Sequence, residues 1–593
     1  MDGKDSESPG PRQKHKSLPG HDIFCTPENS SFLSKTPYKT LDPTRREIRL
    51  LRILPDSGSG FVECELLPSA PIAELRGKYW ALSYCAGNPR NTEIILVNGV
   101  KCNVFANLCH ALTCARHFWT TQPGNEDFLL WADQLCINQA DLSERSHQVG
   151  FMRDIYQSAM ETLICLSTQN TQGKGLASLV ELYHLQGPRI RFRRWGRPSS
   201  PVNELPPRDM AVIWEEIIES PWWSRAWVFQ EFMVSADATF LSGYYQMSWA
   251  KAWRALEAYI GPKSHPELTF SLKSTFQSRR RPELDDDDDY DDNYDNYVAR
   301  VAAEAAAKAW FMLQTKAEWE DTAASLVFLL ARSRNSKASD DRDRIYAFLG
   351  LADPGYAITP DYSASNTTCH VLTETTKNII LFENSLRVLS VLDAPPLARR
   401  PGLPSWAVDW TRDGITRSVN TTPIDEMRYT ARGEGQAVAS FRETTHPETQ
   451  QVTTIMEVTG VYVKDVEYAK PRFSLPWASE YEVLEVWKLR GSACKFFLRR
   501  ESYGYRIVRW TNRDGGTTRL KTISKGLGPM VIPDEDLVWS SDTDPALAED
   551  SDWEDSDWED SDLEWNPGSN PAWAPATESA RSETEESRVI AIF

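Results

Sequence analysis

Short apolar runs alternate with helical patterns in the first third of the chain, and this alternation limits the fold more than any other feature. Buried strands are predicted at Tyr79–Tyr84, Phe128–Trp131 and Thr162–Leu166. Helical patterns occupy Phe105–Phe118 and Leu142–Ser158 between them. Strands that alternate with helices over roughly 90 residues predict a three-layer α/β domain with a parallel sheet.

A hairpin is predicted just before the first of these helices. Ile94–Val97 and Val100–Val104 flank the dipeptide Asn98-Gly99. This dipeptide favours a tight turn because both of its positions need a positive φ. Two further short strands are predicted upstream, at Arg49–Leu54 and Phe61–Leu67.

The polar segment directly after Phe128–Trp131 is a candidate site. It contains Asp133, Asn138 and Gln139. Ligands of α/β sheets bind at the carboxyl ends of strands, so polar side chains at this point predict a binding site. The same residues are also typical of a strand-to-helix loop in which Asp and Asn fix the turn backbone. Both interpretations stay open at the level of sequence.

The net charge of −19 is concentrated in two acidic segments. The segment 285–295 carries −8 and the segment 534–593 carries −17, so the remainder of the chain has a formal charge of +6. The remainder is therefore mildly basic, but no helix or stripe dense in Lys and Arg stands out. We expect no nucleic-acid partner.

The ten cysteines are scattered and contain no C-x-x-C pair, and no His falls at zinc-finger spacing. This spacing argues against a structural metal site, and we predict neither a metal nor a required cofactor. Met1–Pro19 lacks the apolar core of a secretory signal, and no apolar run is long enough to span a membrane. We therefore expect a reduced, cytoplasmic setting with mostly free thiols.

Several separated segments together match one family pattern. They are Tyr79–Tyr84 with Gly87, Leu130–Gln139, the helical set Glu144, Gln148, Met152, Ile155, Tyr156 and Ala159, then Trp222–Glu231, Asp343–Leu351, Pro360–Tyr362 and Leu403–Trp406. In this respect the chain resembles the fungal heterokaryon-incompatibility (HET) domain proteins. The core of the resemblance covers residues 77–232.

The resemblance implies a cytoplasmic factor of fungal non-self recognition that triggers programmed cell death through protein partners or self-association. It also implies an α/β core similar to Toll/interleukin-receptor (TIR) domains, some of which cleave NAD⁺ with a glutamate on a helix beside the sheet. NAD⁺ is then an expected substrate. Ser83, Tyr84 and Gly87 of the first matched segment are expected binding residues.

The chain departs from the family pattern at two places. Ala86 precedes Gly87 where the family usually has Trp, and Cys165-Leu166-Ser167 replaces the usual Trp-Leu-Gly. The loss of two large aromatic side chains could enlarge a cleft or mark a specialised member. These departures bear on activity more than on fold.

Glu144 is the first candidate for a catalytic carboxylate. With Asp141 as N-cap it occupies position N3, where a capping box would direct it to the N-cap amide. Alternatively, Glu144 and Gln148, which lie within roughly 40° of each other on the helix, point to the sheet edge that carries Asp133. A carboxylate held there could stabilise an oxocarbenium-like centre during glycosidic cleavage of a nucleotide.

Trp227, Gln230 and Glu231 share one face of a second helix. This face is typical of a packing helix with an exposed ion pair. Alternatively, Glu231 is a rival carboxylate on a second wall of the same cleft, and Arg225 and Trp227 then belong to the binding residues. A nucleophilic role for Cys136 is disfavoured because no acid is placed to orient a neighbouring His147.

The predicted organisation has six parts. They are a disordered arm (1–45), the HET domain (46–260), an acidic disordered insertion (263–298), a helical continuation (299–410), a β-rich region (411–533) and an acidic disordered tail (534–593). Two classes of function remain open for the HET domain. It is either a TIR-like NAD⁺ glycohydrolase or a non-catalytic module that self-associates or recruits an executor of cell death.

Overall fold

A computed structural model describes most of the chain in fifteen segments. These are residues 29–35, 38–122, 127–168, 173–186, 206–260, 292–320, 323–392, 400–412, 438–445, 452–469, 481–492, 494–501, 504–511, 520–522 and 587–592. The chain divides into two compact units. The first lies within residues 1–393 and 398–436, and the second lies within residues 394–397 and 437–593.

The first unit is built on a nine-stranded mixed sheet and a small two-stranded sheet. Its strands are β1 (Glu47–Ile48), β2 (Leu51–Ile53), β3 (Glu63–Leu66), β4 (Ala70–Pro71), β5 (Trp80–Tyr84), β6 (Thr92–Val97), β7 (Val100–Phe105), β8 (Phe128–Trp131), β9 (Glu161–Cys165), β10 (Ala238–Ser242) and β11 (Tyr245–Ser248). The large sheet has the order β11-β10-β9-β5-β8-β2-β3-β6-β7, and β1 pairs with β4.

The centre of the large sheet is parallel, and β3 and β6 also pair in parallel nearer one edge. The strands β10, β9, β5 and β8 run in the same direction, whereas β2 pairs antiparallel with both β8 and β3. The prediction of a parallel sheet is thus correct for the core, and the complete sheet is mixed. The predicted hairpin is confirmed, since β6 and β7 pair across Asn98 and Gly99, both of which have positive φ.

Fourteen helices of the first unit fall in the described ranges. They are α1 (Ser30–Lys35), α2 (Ile72–Leu75), α3 (Ala106–Thr120), α4 (Asp133–Cys136), α5 (Leu142–Val149), α6 (Met152–Ser158), α7 (Lys174–Gln186), α8 (Pro207–Ile213), α9 (Trp227–Val234), α10 (Trp249–Ile260), α11 (Asp292–Ala317), α12 (Leu326–Arg332), α13 (Asp343–Leu349) and α14 (Thr368–Glu383). A π-helical turn, Trp214–Ile218, and a 3-10 turn, Pro221–Ser224, lie between α8 and α9.

Helices cover both faces of the sheet at β5. Successive side chains of a strand point to opposite faces, and all five residues of β5 are buried. On one face Trp80 contacts Phe118 of α3, and on the other Ser83 contacts Glu231 of α9. The centre of the unit therefore has the predicted three layers.

Three predicted boundaries in the first unit were wrong. The helix expected over 142–158 is two helices, because Gly150 ends α5 and Phe151 has a non-helical backbone. The predicted disordered arm ends too late, since Phe32 is fully buried and Tyr38 donates a hydrogen bond to the carbonyl oxygen of Leu135. The acidic insertion also ends earlier than predicted, because α11 begins at Asp292. Residues 263–291 lie outside the described part of the chain.

The second unit is a β-sheet, as the β-rich composition predicted. Its strands are β12 (Ala439–Thr445), β13 (Val452–Ala469), β14 (Tyr481–Leu489), β15 (Lys495–Glu501), β16 (Gly504–Thr511), β17 (Leu520–Thr522) and β18 (Ser587–Ile592). Their order is β12-β13-β14-β15-β16-β18, and both β17 and β18 also pair with β13. A cluster of buried side chains forms its core: Val466, Leu484, Val486, Phe497 and Val508.

The strand β18 corrects the prediction of a disordered tail that extends to residue 593. Met456–Val461 pair antiparallel with this strand, and Ile590 and Ile592 are buried. The apolar alternation within Ser587–Ile592 suits a half-buried strand. Within the described ranges, no helix combines the length and the apolar character that crossing a bilayer requires.

Candidate functional site

A cluster of polar side chains lies at the carboxyl ends of β5 and β8. Ser83 and Tyr84 end β5, and Asp133 opens α4 just after β8. Arg225 and Glu231 reach the same place from the end of the 3-10 turn and from α9. We call these five residues the carboxylate cluster. They were all among the predicted site residues.

Glu231 lies at the centre of this cluster. It is 2% exposed, and its Oε2 accepts a hydrogen bond of 2.5 Å from the Ser83 hydroxyl. The indole N–H of Trp222 donates to that hydroxyl at 2.8 Å, which fixes its orientation. The hydroxyl of Tyr156, which donates to the Leu82 carbonyl, is also within hydrogen-bonding reach of the carboxylate.

Burial raises the pKa of Glu231 to about 7. The positive charge of Arg225 and the hydrogen bond from Ser83 act in the opposite direction, and the negative charge of Asp133 adds to the effect of burial. The loss of solvation therefore outweighs the attraction of a nearby guanidinium. A carboxyl group with this pKa changes its protonation state near neutral pH, as a catalytic acid or base must.

Arg225 supplies the positive charge of the cluster. Its guanidinium donates to the carbonyl oxygen of Tyr84 and lies 5.9 Å from the centre of the Tyr84 ring. Burial disfavours the charge, but Glu231 and Asp133 offset this and the pKa of Arg225 is raised. This side chain therefore lies beside Glu231 and Asp133. Helical spacing does not place Arg225, because it precedes α9 and has an extended backbone.

Asp133 brings the end of β8 into the cluster. Its Oδ1 accepts hydrogen bonds from the Tyr84 hydroxyl at 3.0 Å and from the Gln134 amide at 2.7 Å. The side chain of Gln139 donates to the Asp133 carbonyl at 2.9 Å. Asp133 and Gln139 thus meet at the sheet edge, as predicted from the polar segment.

The structure places Glu144 outside the carboxylate cluster. Its carboxylate is buried in a two-point ion pair with Arg49, with N–O distances of 2.6 and 3.0 Å. Its Oε1 also accepts from the backbone amide of Asn138 at 2.7 Å. These contacts disfavour the predicted catalytic role of Glu144, because its oxygens are already occupied by donors of the chain itself.

The capping prediction for this helix was correct only in part. Asp141 is the N-cap and accepts from the amides of Ser143 and Glu144. Glu144, however, reaches the Asn138 amide instead of the N-cap amide. Gln148 is likewise structural, since its side chain donates to the Glu47 carbonyl and is almost fully buried.

Asn138 and Gly87 shape the two loops beside the cluster. The Oδ1 of Asn138 accepts from the Ala140 amide, which closes the turn before α5. Gly87 has a φ of +78°, and a Cβ at this position would lie 2.4 Å from the Asn107 side-chain nitrogen. That nitrogen donates to the Cys85 carbonyl, so Gly87 is needed for the close approach of α3 to this loop.

Trp227 points to a second buried carboxylate that sequence reasoning missed. Asp343, the first residue of α13, accepts hydrogen bonds from the side chains of Trp227 and Tyr362. Arg145 lies 3.9 Å from its Oδ2, and burial raises its pKa. Trp227 therefore belongs to this second group.

Trp222 and Tyr156 contact the carboxylate cluster, and the sequence did not single them out for chemistry. Both lie in segments of the family pattern but looked like ordinary core residues. Cys136, in contrast, is excluded as a nucleophile by its surroundings. It is buried, and burial raises its pKa to about 12, so the thiolate is scarce at neutral pH.

A cleft of about 320 Å³ lies elsewhere on the first unit, near the amino ends of β9 and β10. Its lining includes Glu161, Thr239 and Lys251. The carboxylate cluster, in contrast, is closed by its own hydrogen bonds. A ligand of the cluster must therefore displace some of these contacts.

Comparisons with known proteins agree with the position of the cluster. The family described as Heterokaryon incompatibility protein (HET) matches residues 79–231, a segment that contains all five cluster residues. The chain carries a HET domain at residues 79–231.

A relative supports the same assignment. The chain is 27% identical over 408 residues to "Heterokaryon incompatibility protein 6, OR allele" of Neurospora crassa, a match that covers 62% of this chain. The match covers 57% of the relative's length. No solved structure matches the chain.

Proposed function

We propose that this protein acts in fungal non-self recognition, as a heterokaryon-incompatibility factor whose activity leads to programmed cell death. The HET domain at residues 79–231 and the similarity to an incompatibility protein of Neurospora support this role. We further propose that the α/β core is TIR-like and cleaves NAD⁺ at the carboxylate cluster. The observation that carries the enzymatic part is the position of Glu231, a buried carboxyl group that accepts a hydrogen bond from Ser83 at the carboxyl end of β5.

The proposed reaction needs one ionised carboxylate and no general acid. When the bond between the ribosyl C1′ and the nicotinamide nitrogen breaks, the electron pair stays with nicotinamide, which leaves as a neutral molecule. The remaining ribosyl group is oxocarbenium-like, and a carboxylate beside it stabilises this positive charge. Water then adds to C1′ and releases a proton, which yields ADP-ribose.

Glu231 suits this role better than Glu144. It lies on α9 beside the sheet, and its contacts are hydroxyl groups, whereas Glu144 is held by a guanidinium. In the proposal, Arg225 attracts the pyrophosphate of the substrate, since a guanidinium can donate two parallel hydrogen bonds to phosphate oxygens.

The test is an NAD⁺-cleavage assay of the full chain at high protein concentration, with the Glu231→Gln variant. We expect turnover that Glu231→Gln lowers by at least about 100-fold. The matched control is Glu161→Gln, which removes another carboxyl group of the same sheet whose pKa burial raises. The control should retain wild-type turnover.

The pH profile gives a second readout. The carboxylate must be ionised to act, so kcat/KM should rise with pH through a midpoint near 7 and level off above it. A profile that is flat between pH 5 and 9, or undiminished turnover in Glu231→Gln, would exclude this carboxylate as the catalytic group.

A second, non-catalytic function is favoured by the hydrogen bonds that close the carboxylate cluster to solvent. Glu231 is 2% exposed and its neighbours are hydrogen-bonded to one another. Such a network could serve only to hold α9 on the sheet, and the HET domain would then be a non-catalytic module that self-associates or recruits an executor of cell death. Concentration-dependent association in light scattering, without NAD⁺ loss at any concentration, supports this alternative and contradicts the enzyme.

A further inference from the structure

A group of soft metal ligands lies on the opposite face of the sheet from Glu231. His110 and Cys114 are separated by one turn of α3, and Cys165 ends β9. Their ligand atoms all lie within 4.8 Å of one another. The Ser167 hydroxyl completes the group, at 2.8 Å from the Nε2 of His110 and 3.6 Å from the sulfur of Cys165.

We propose that His110, Cys114 and Cys165 bind a zinc ion, with the Ser167 hydroxyl at the fourth position. Two thiolates and one imidazole are a donor set that zinc prefers. The prediction that the chain has no structural metal site relied on spacing within the sequence. These ligands escape that criterion because Cys165 is distant from α3 in sequence and comes beside it only through the sheet.

The separations fit a tetrahedral ion. With zinc–sulfur bonds near 2.3 Å and zinc–nitrogen bonds near 2.0 Å, tetrahedral angles place a sulfur and a nitrogen about 3.5 Å apart. The Cys114 sulfur lies 3.5 Å from the Nε2 of His110. The contact between His110 and Ser167 is shorter, at 2.8 Å, and must widen by about half an ångström.

The surroundings also suit a bound ion. Cys114, Cys165 and Ser167 are each less than 5% exposed. The backbone amide of Gly243 donates to the Cys114 sulfur, which is the type of contact that orients a metal-bound thiolate. Two thiolates at this buried position would repel each other, and a divalent cation would neutralise them.

Two residues of the proposed site lie where the chain departs from the family pattern. Cys165 and Ser167 are the two residues that replace the Trp and Gly of the family pattern. The replacement removes an aromatic side chain and introduces a thiol and a hydroxyl, both of which face His110. The departure from the pattern is therefore explained as the gain of two ligands.

The test measures the metal content of the tag-free full chain after expression with added zinc. We expect about one zinc per chain in the wild type and in Cys136→Ser, a matched control whose thiol is also buried but lies outside the group. The Cys114→Ser and Cys165→Ser variants should lose at least nine tenths of the zinc.

A second measurement does not depend on the folding of the variants. Wild-type protein prepared with cobalt should show thiolate-to-cobalt charge-transfer absorption, which addition of zinc should abolish. Two results would overturn the proposal: wild-type protein without stoichiometric zinc and without this absorption, or a Cys114–Cys165 disulfide found by mass spectrometry of protein alkylated without reductant.

Discussion

Two buried glutamates of this protein have opposite electrostatic surroundings. The charge of Glu144 is neutralised by Arg49 in a two-point ion pair. Glu231 loses its contact with water on folding, and its contacts in the protein do not fully compensate for that loss. A raised pKa in the folded state means that folding favours the protonated form. Ionisation of Glu231 therefore lowers the free energy of unfolding as the pH rises from its ordinary pKa, near 4.5, through about 7.

We expect Glu231→Gln to stabilise the protein at pH 8, by up to about 3 kcal/mol, and to have little effect near pH 4. The amide keeps the shape of the side chain and removes the charge that burial disfavours. Thermal unfolding at both pH values measures this difference. A variant that is destabilised at pH 8 would show that the carboxylate is well accommodated in its charged form.

The matched variant Glu144→Gln should have the opposite effect. It leaves the buried guanidinium of Arg49 without its counter-charge, a change that typically lowers the free energy of unfolding by about 3–5 kcal/mol. The same unfolding measurements at pH 8 give this value. If Glu144→Gln is as stable as the wild type, the ion pair seen here does not persist in solution.

For individual residues, the sequence predicted which side chains lie at the candidate site but not which of them form ion pairs or hydrogen bonds with one another. The change from an apolar run to Asp133 marked the sheet edge correctly. The partner of Glu144 could not be predicted, because Arg49 is 95 residues away in sequence and the two meet only in the folded chain. The contact of Arg225 with Tyr84 could not be predicted for a related reason, since helical spacing does not apply to a residue that precedes the helix.

The loop after β5 allows a test at the level of one structural element. Gly87 and Gly60 have almost the same φ, +78° and +80°, but a Cβ would meet Asn107 only at Gly87. Both Ala variants share the strain of a positive φ, about 1 kcal/mol. Gly87→Ala should lower the free energy of unfolding by a further 1 kcal/mol or more, because the Asn107 hydrogen bond to Cys85 is lost. Equal effects in urea unfolding would contradict the tight contact.

Strands and helices with a strong hydrophobic periodicity were predicted more reliably than the residues at which they begin and end. The strand Phe128–Trp131 has the predicted bounds, and the hairpin at Asn98-Gly99 follows from turn chemistry alone. The break between α5 and α6 was missed because the apolar stripe continues across Gly150. Such a break depends on tertiary packing, which periodicity does not record.

For the molecule as a whole, β18 is the part that sequence analysis assigned to the wrong class. Ile592 is fully buried in the second unit, while Val589 of the same strand is 71% exposed. Ile592→Ala should lower the stability of that unit by about 2–5 kcal/mol, and Val589→Ala by less than about 0.5 kcal/mol. Hydrogen exchange of the β13 amides, which pair with β18, measures the stability of the second unit independently of the first. Equal protection in both variants would mean that β18 does not close the sheet.

The neighbours of β8 and β9 determine where the HET domain can be cut. β8 pairs with β2 and β9 with β10, and both partners lie outside residues 79–231. A fragment trimmed to those limits would expose two unpaired strands with free backbone donors and acceptors, and such edges promote aggregation. Reagents for this protein, from crystallisation fragments to immunogens, are therefore better designed from the β-ladder than from the borders of the sequence match.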